Sequence, residues 1–295
     1  MTEAISKYVR DGDLLYLAGF THLIPFAAAH EIIRQGKKDL VLARATPDLI
    51  YDQMIAAGCA RKVIFSWAGN PGVGPLRAFR KKVEAGELEI EEYTHFGTVA
   101  RLMAGAGGLP FFPLKTNTGS DLVKKNPSIK SVVCPYTGRE ISVVPALNPD
   151  VAVIHVQRAD ATGNGQIWGI VGEQREAAFA SKRVILTTEE IVSEDVIRSD
   201  PARTLIPGFL VSAVVEEPWG AHPSYAQGYY DRDNQFYLEW EAISKDEARL
   251  DEWLREWVFG VKGRREYMSK FESSRVLSLI PKSQYSAPVD YGIYL

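Results

Sequence analysis

Cysteine is nearly absent: Cys59 and Cys134 are the two thiols in 295 residues, far apart and in no metal or redox spacing. That excludes a disulfide scaffold and a cysteine-based zinc site, and two thiols in a reducing cytoplasm are expected. Long basic runs are missing, and a net charge of −3 argues against a nucleic-acid partner. Nowhere do about 18 uncharged apolar residues follow one another, so no membrane span is expected. The polar stretch 1–8 does not read as a signal peptide. Several catalytic signatures are lacking as well. There is no H-E-x-x-H and no histidine pair at i, i+4, so no metal is expected. The G-x-S-x-G elbow of serine hydrolases does not occur. Neither G-x-G-x-x-G nor G-x-x-x-x-G-K-[ST] follows the first strand. Gly69-Asn70-Pro71-Gly72-Val73-Gly74 imitates a phosphate loop, but Pro71 removes an amide that such a cradle uses.

What is present reads as a globular core: 46% apolar and 24% charged residues. Residues 14–18 are a continuous apolar run of strand length, 40–43, 62–67 and 88–93 also read as strands, and helical patterns follow at 25–33, 48–57, 76–85 and 96–104. That alternation predicts βαβ units and an α/β fold, an open, mainly parallel sheet with helices on both faces. Further on, 131–134 and 140–144 read as a strand pair around a turn. Residues 151–157 read as a buried strand, 173–180 as a helix and 183–187 as a strand. One domain is expected over 1–240, with a C-terminal helical extension over 241–295. In that extension Leu250, Trp253, Leu254, Trp257 and Val258 fall on one face of a helix at 246–259. The stripe suits packing on the domain or on a partner.

The stretch 101–121 organises the reading. Gly105, Gly107 and Gly108 end a helix, and the short apolar run 109–114, with two prolines, suits an edge strand. It delivers Thr116, Asn117, Thr118, Gly119, Ser120 and Asp121 into a loop rich in hydroxyls, amides and backbone N–H groups. In an open parallel sheet ligands bind beyond the carboxyl ends of the strands. Those ends present 19–22, 44–48, 66–74, 93–95, 116–121 and 158–165. His22 and His95 are candidates there, and Glu91, Glu92 and Glu173 are candidate acid/base groups. His30 and His155 suit core positions, and His222 suits either role.

These motifs together resemble the class I coenzyme A transferases, and in particular the alpha subunit of the glutaconate type. Asp11-Gly12, an apolar strand, then Ala18-Gly19-Phe20 with Pro25 beyond is similar to their first signature. Arg101 through Pro110 with Asn117-Thr118-Gly119 is similar to their second glycine-rich element. Ala159-Asp160-Ala161-Thr162-Gly163-Asn164 matches their A-D-x-x-G-N turn. Thr187 to Val192, Ile206-Pro207-Gly208, Val214-Val215, Pro218 and Gly220-Ala221-His222-Pro223 complete the series. The resemblance runs from Asp11 to about Asp233.

It implies a transferase that moves CoA between an acyl-CoA and a carboxylic acid, dicarboxylic acids included, with CoA as substrate and no permanently bound cofactor. The family uses a nucleophilic glutamate carried by a beta subunit of the same fold. The S-E-N-G-like motif that bears it does not stand in this chain, so a hetero-oligomer is implied. Gly19, Phe20, Thr21 and His22, then Ser66, Trp67, Ala68, Gly69 and Asn70, then Asn117, Thr118, Gly119 and Ser120 would line the acyl pocket. Backbone donors there would hold the thioester oxyanion, at about 3 kcal/mol each. His95 and Glu92 are the catalytic candidates of this chain itself. The sequence departs from the family at Leu23-Ile24-Pro25, where the spacing from the first loop to proline is shorter. Two alternatives stand beside the transferase. One is a ring-opening CoA-thioester hydrolase of the same fold. The other is a non-catalytic ligand-binding relative, although the DNA-binding appendage expected there is not visible.

Overall fold

The computed structural model describes residues 1–70, 73–117 and 119–281. In the first part α1 (Thr2–Tyr8), β1 (Leu14–Leu17), α2 (Phe26–Arg34), β2 (Leu40–Ala43), α3 (Leu49–Ala56), β3 (Ala60–Phe65), α4 (Arg77–Glu84), β4 (Glu89–Glu92) and α5 (His95–Ala106) alternate. Then come β5 (Phe111–Leu114), α6 (Leu122–Lys125), β6 (Lys130–Val133), β7 (Glu140–Pro145), β8 (Val151–Ala159), β9 (Gly165–Gln166) and α7 (Gln174–Ala180). They are followed by β10 (Val184–Ile191), α8 (Glu194–Ser199), β11 (Thr204–Ile206) and β12 (Val211–Glu216). The helices α9 (Asn234–Ser244), α10 (Glu247–Trp253), α11 (Arg264–Ser269) and α12 (Ser273–Ser278) close the described chain.

Strands pair in parallel in the order β12-β10-β8-β1-β2-β3-β4. The strand order reverses between β1 and β8, which is the switch point where such a sheet opens a crevice. Two short antiparallel strands, β9 and β11, are added at the end of β8. A separate antiparallel sheet, β5-β7-β6, keeps Pro113 on an edge strand, where a missing N–H costs no ladder bond.

Alternation along the strands decides the layers. Leu15, Leu17, Leu40, Leu42, Val63, Phe65, Val151 and Val153 share one core with α1 to α4 and the C-terminal helices. Tyr16, Ala18, Val41, Ala43, Ile64, Ala152, Ile154 and Val156 share the other with α5, α7 and the small sheet. Both faces are covered along β1 and β2, so these strands read as unbroken apolar runs, whereas β4 at the sheet edge reads Glu-Ile-Glu-Glu and is mostly exposed. Each large aliphatic side chain so buried contributes about 1.5–3 kcal/mol.

The aromatic stripe of the C-terminal segment turns inward on its own chain. Trp240, Leu250, Trp253, Leu254 and Val258 join the first core, and Trp253 meets Trp240 edge-on at 5.0 Å. The helix expected over 246–259 is α-helical only through Trp253 and widens to a π turn over Leu254–Phe259. There Trp257 stacks parallel to Trp253, with ring centroids 6.3 Å apart. The helix α9 runs across residue 240 and packs into that core through Phe236, Tyr237 and Trp240.

The A-D-x-x-G-N segment forms a tight side-chain-capped turn. Asp160 Oδ1 accepts from the Thr162 and Asn164 amides at 2.9 and 3.0 Å, and its Oδ2 accepts from Asn164 Nδ2 at 2.8 Å. Gly163 has φ +95, and Asn164 Oδ1 accepts from the Gly208 amide at 2.9 Å. These contacts tie the turn to itself and to the Gly208 backbone. Asn164→Ala is therefore expected to cost about 1–3 kcal/mol of stability through lost hydrogen bonds. Turnover per folded molecule should stay close to that of the parent. Chemical denaturation read beside specific activity checks this, and a stable but inactive variant would refute it.

Candidate active site

The first rim loop is strained and tied down. Gly19 has φ +135, and a Cβ there would lie 2.8 Å from the His22 carbonyl oxygen, so no other residue fits. Thr21 and Leu23 also hold positive φ, at 56 and 54, where a side chain costs about 1–3 kcal/mol. Contacts from distant segments keep them so. Ser224 Oγ donates to the Thr21 carbonyl at 2.8 Å, and the Leu23 amide donates to the Tyr225 carbonyl at 2.9 Å. His22 is fully buried and stacks on Tyr225 at 4.6 Å. Its Nε2 accepts from the Gln227 amide at 3.1 Å, so Nδ1 carries the proton and donates to the Ile170 carbonyl at 2.9 Å. Burial pushes its pKa down to about 4. His22 is thus a bridge behind the rim and not part of its surface.

Phe20 reaches forward. Its Cβ packs on Gly172, where an added Cβ would lie only 2.8 Å away. The Phe20 ring meets His95 edge-on at 6.0 Å. His95 opens α5, whose cap is Thr94: Thr94 Oγ1 accepts from the Gly97 amide at 3.0 Å. His95 Nε2 lies 3.1 Å from Thr46 Oγ1, so the ends of β1, β2 and β4 converge on one exposed patch.

The loop after β3 is zipped to the loop after β2. Amides of Ser66 and Trp67 donate to the Ala45 carbonyl at 3.0 and 3.3 Å, and the Gly69 amide donates to the Pro47 carbonyl at 3.1 Å. Ser66 Oγ also donates to Ala45. Trp67, half exposed, lies over Gly69, where a Cβ would come within 2.7 Å of its ring. Ala68 is half-buried, and Asn70 is buried with its amide on the Gly74 carbonyl at 2.8 Å. On the far side Asn117 is fully buried and accepts from Thr94 Oγ1 at 3.4 Å. Its Nδ2 has no partner among the described residues. Gly119 turns the chain with φ +80, and Ser120 Oγ accepts from the Leu122 amide at 3.2 Å. Thr118 lies outside the described residues.

Charged groups near the rim are mostly paired. Glu91 holds Lys62 and, at 3.0 Å, Arg101. Burial raises its pKa, but Lys62, Tyr93 and Arg101 more than offset that and leave it below the usual range. Glu173 is buried and accepts from Tyr16 Oη at 2.6 Å. Arg44 is buried against Asp48 at 3.3 Å. Glu92 is exposed, and its carbonyl accepts from Asn126 Nδ2 at 2.8 Å. No group of three metal-ligating side chains occurs among the described residues. Sequence reasoning placed 44–48 at a strand end but did not single out Thr46. Its signal is a hydroxyl just past a strand, and nothing in the sequence pairs it with His95.

A doubly wound sheet whose strand ends converge in one polar, aromatic-lined rim defines a ligand-binding α/β protein. The model of the family described as coenzyme A transferase matches residues 1–217. The chain is 51% identical over 278 residues to the A subunit of the 3-oxoadipate CoA-transferase of Pseudomonas knackmussii, spanning 93% of this chain and 98% of that one. It is 37% identical to the A subunit of the glutaconate CoA-transferase of Acidaminococcus fermentans, over 95% of this chain and 93% of that one. The crystal structure of glutaconate coenzyme A-transferase from that organism superposes with a TM-score of 0.91, covering 97% of each chain. This chain belongs to the coenzyme A transferase family, as an alpha-type subunit. A cholesterol ring-cleaving hydrolase subunit of Rhodococcus jostii is 27% identical over 80% of this chain and 83% of that one. The transferase reading is favoured over the hydrolase alternative.

His22 makes a testable contribution to stability. Its folded pKa near 4 lies below the ordinary value of about 6.5, so the unfolded chain binds the proton more readily between those values. The stabilisation is present above about pH 6.5 and is lost as pH falls toward 4. Asp52, which burial raises to about 6, contributes in the opposite sense, so a difference measurement is needed. Unfolding free energies at pH 5 and 7 should differ less in His22→Gln than in the parent. An equal difference in both would refute the assignment.

Proposed function

We propose that this chain supplies one half of a CoA-transferase active site and that a partner subunit of the same fold brings the nucleophilic glutamate. The observation that carries this is the state of the carboxylates around the rim. Glu91 is bound by Lys62 and Arg101 and Glu173 by Tyr16, Glu92 stands exposed at the end of β4, and the patch itself presents Phe20, Thr46, Trp67 and His95. Such a surface binds and orients an acyl group and shields it from water. The partner's carboxylate attacks the thioester carbonyl and expels CoA thiolate, leaving an acyl-glutamyl anhydride. The thiolate then attacks the glutamyl carbonyl, releasing the first acid and forming a glutamyl-CoA thioester. The acceptor carboxylate reverses the two steps, so CoA changes acids with no net oxidation and no water consumed.

The acid we assign is a short dicarboxylic acid, supported by the names of the relatives that act on 3-oxoadipate and glutaconate. His95, held by Thr46 and flanked by Phe20, is placed to hydrogen-bond its second carboxylate. A reducing cytoplasm is the compartment we assign, with Cys59 and Cys134 free. We assign the apolar side of the patch to Phe20 and Trp67, the latter half exposed, together with Phe96, which follows His95 in α5 and meets Phe112 edge-on at 6.2 Å. They cover the anhydride once the partner has docked.

Two measurements test this. The chain assayed alone should not exchange CoA, and the complex with its partner should, releasing CoA from the acyl-CoA far more slowly when the acceptor acid is left out. Rapid release without an acceptor, lost in His95→Ala, would give the site to a hydrolase. In the complex, His95→Ala should raise KM for the dicarboxylic acid about tenfold or more, the loss expected of one hydrogen bond to a charged group. A monocarboxylic acid should be affected little. Equal effects on both acids would sink the role of His95.

A further inference from the structure

The rim loop is held by the segment 219–230, and that segment is itself gripped from two sides. Trp219 is a further non-glycine residue forced to positive φ, at 63. Its amide donates to Glu189 Oε2 at 2.7 Å, from the end of β10. Its carbonyl accepts from Arg264 Nε at 2.7 Å, from the first residue of α11 in the C-terminal extension. The same guanidinium donates to the His222 carbonyl through Nη2, with the Gly220 carbonyl at 3.5 Å. Glu189 Oε1 takes His155 Nε2 at 2.6 Å and the Tyr230 hydroxyl, and Tyr230 Oη accepts from the Ala221 amide at 3.0 Å. Arg264 and Glu189 are both buried, and Arg264 lies over the Tyr267 ring at 4.4 Å. A single residue's backbone is clamped between a buried carboxylate on the sheet and a buried guanidinium on the extension.

From this clamp the chain runs directly to the rim. Gly220 leaves no room for a side chain: a Cβ there would sit 2.6 Å from the His155 ring, and its carbonyl accepts from the Ala27 amide at 2.9 Å. A few residues on, Ser224, Tyr225 and Gln227 make the bonds that keep Thr21, His22 and Leu23 in place. We propose that Arg264 is a positioning residue for acyl transfer, through which the C-terminal extension sets the conformation of the loop carrying Phe20. The proposal rests on the reading of the loop carrying Phe20 as part of the acyl site. It assigns the extension a part in catalysis beyond covering one face of the core.

The physical case is one of leverage. Thr21, Leu23 and Trp219 occupy backbone regions that side chains avoid, and such conformations persist only when their surroundings over-determine them. Removing the guanidinium would take a donor from three carbonyls in a buried site and let Trp219 relax. A shift of about 1 Å in a group that positions substrate can cost about 10²-fold in rate.

The test uses the complex of the full chain with its partner. Arg264→Lys keeps the charge but not the three-way donation, and Arg264→Gln removes both. Each is measured for assembly, melting temperature, kcat and KM, together with amide hydrogen exchange over 19–24 and 264–279. The expected result is a fall in kcat of about ten- to a hundredfold with KM for the acyl-CoA changed less than about threefold, greater for Gln than for Lys. Exchange at 19–24 should rise alongside, and added guanidinium should partly restore kcat in Arg264→Gln. If Arg264→Gln does not fold, Arg264→Lys carries the test alone. A folded, assembled Arg264→Lys with parental kcat, or exchange that rises only over 264–279, would overturn the proposal. Phe20→Ala separates the two layers. Unchanged turnover in Phe20→Ala while exchange at 19–24 still responds to Arg264 would keep the mechanical link, but it would remove the loop from the site and the catalytic claim with it.

Discussion

The neutral imidazole of His22 is the contact on which the rim depends, because it joins the rim loop to two stretches of chain far from it in sequence, around residues 170 and 227. One nitrogen donates to the loop before α7 and the other accepts from the loop before α9, while the ring stacks on Tyr225. A protonated ring could not accept, so the arrangement needs the uncharged tautomer, and burial provides it. Once these segments are fixed, Gly172 can lie against Phe20, and Phe20 can meet His95. The aromatic patch is therefore built from behind.

The same logic runs through the buried charges. Arg44 lies against Asp48, His155 and Tyr230 share Glu189, and Asp233 takes both His222 and Arg275. Leaving one partner of such a pair alone would cost several kcal/mol, about 3–5 for a buried ion pair. These groups are weak evidence for stability as such. Their value lies in register: each fixes one stretch of chain against another, and so aligns surfaces that must face one substrate.

Much of the sheet was legible because a strand buried on both faces writes itself as an apolar run. Leu40–Ala43 coincides with its expected limits, and the others differ by a few residues at their ends. Asp48 caps α3 as its position suggests, with Oδ1 accepting from the Ile50 amide at 3.4 Å. The short strands β9 and β11 were not legible, since two or three residues carry no period. The π turn escaped too, because helical spacing continues smoothly through Trp257 while the backbone widens to stack the two indoles. Around the site, sequence marked the strand ends but could not separate a surface histidine from a buried one. His22 and His95 occupy equivalent positions after β1 and β4, and what divides them is contact with residues 170, 225 and 227. The pairing of His95 with Thr46 is likewise a product of neighbouring strands.

The six tryptophans are distributed in a way that gives the protein a built-in optical report. Trp240 and Trp253 are almost wholly enclosed, in an apolar aromatic cluster that excludes water. Trp67 stands half exposed on the rim. Emission from the enclosed indoles lies to the blue and is out of reach of aqueous quenchers, whereas that of Trp67 lies to the red and is open to them. A molecule or protein that settles on the rim therefore shifts and protects the Trp67 contribution, while loosening of the extension exposes that of Trp240 and Trp253. Docking and fraying have separate colours in a single unlabelled chain.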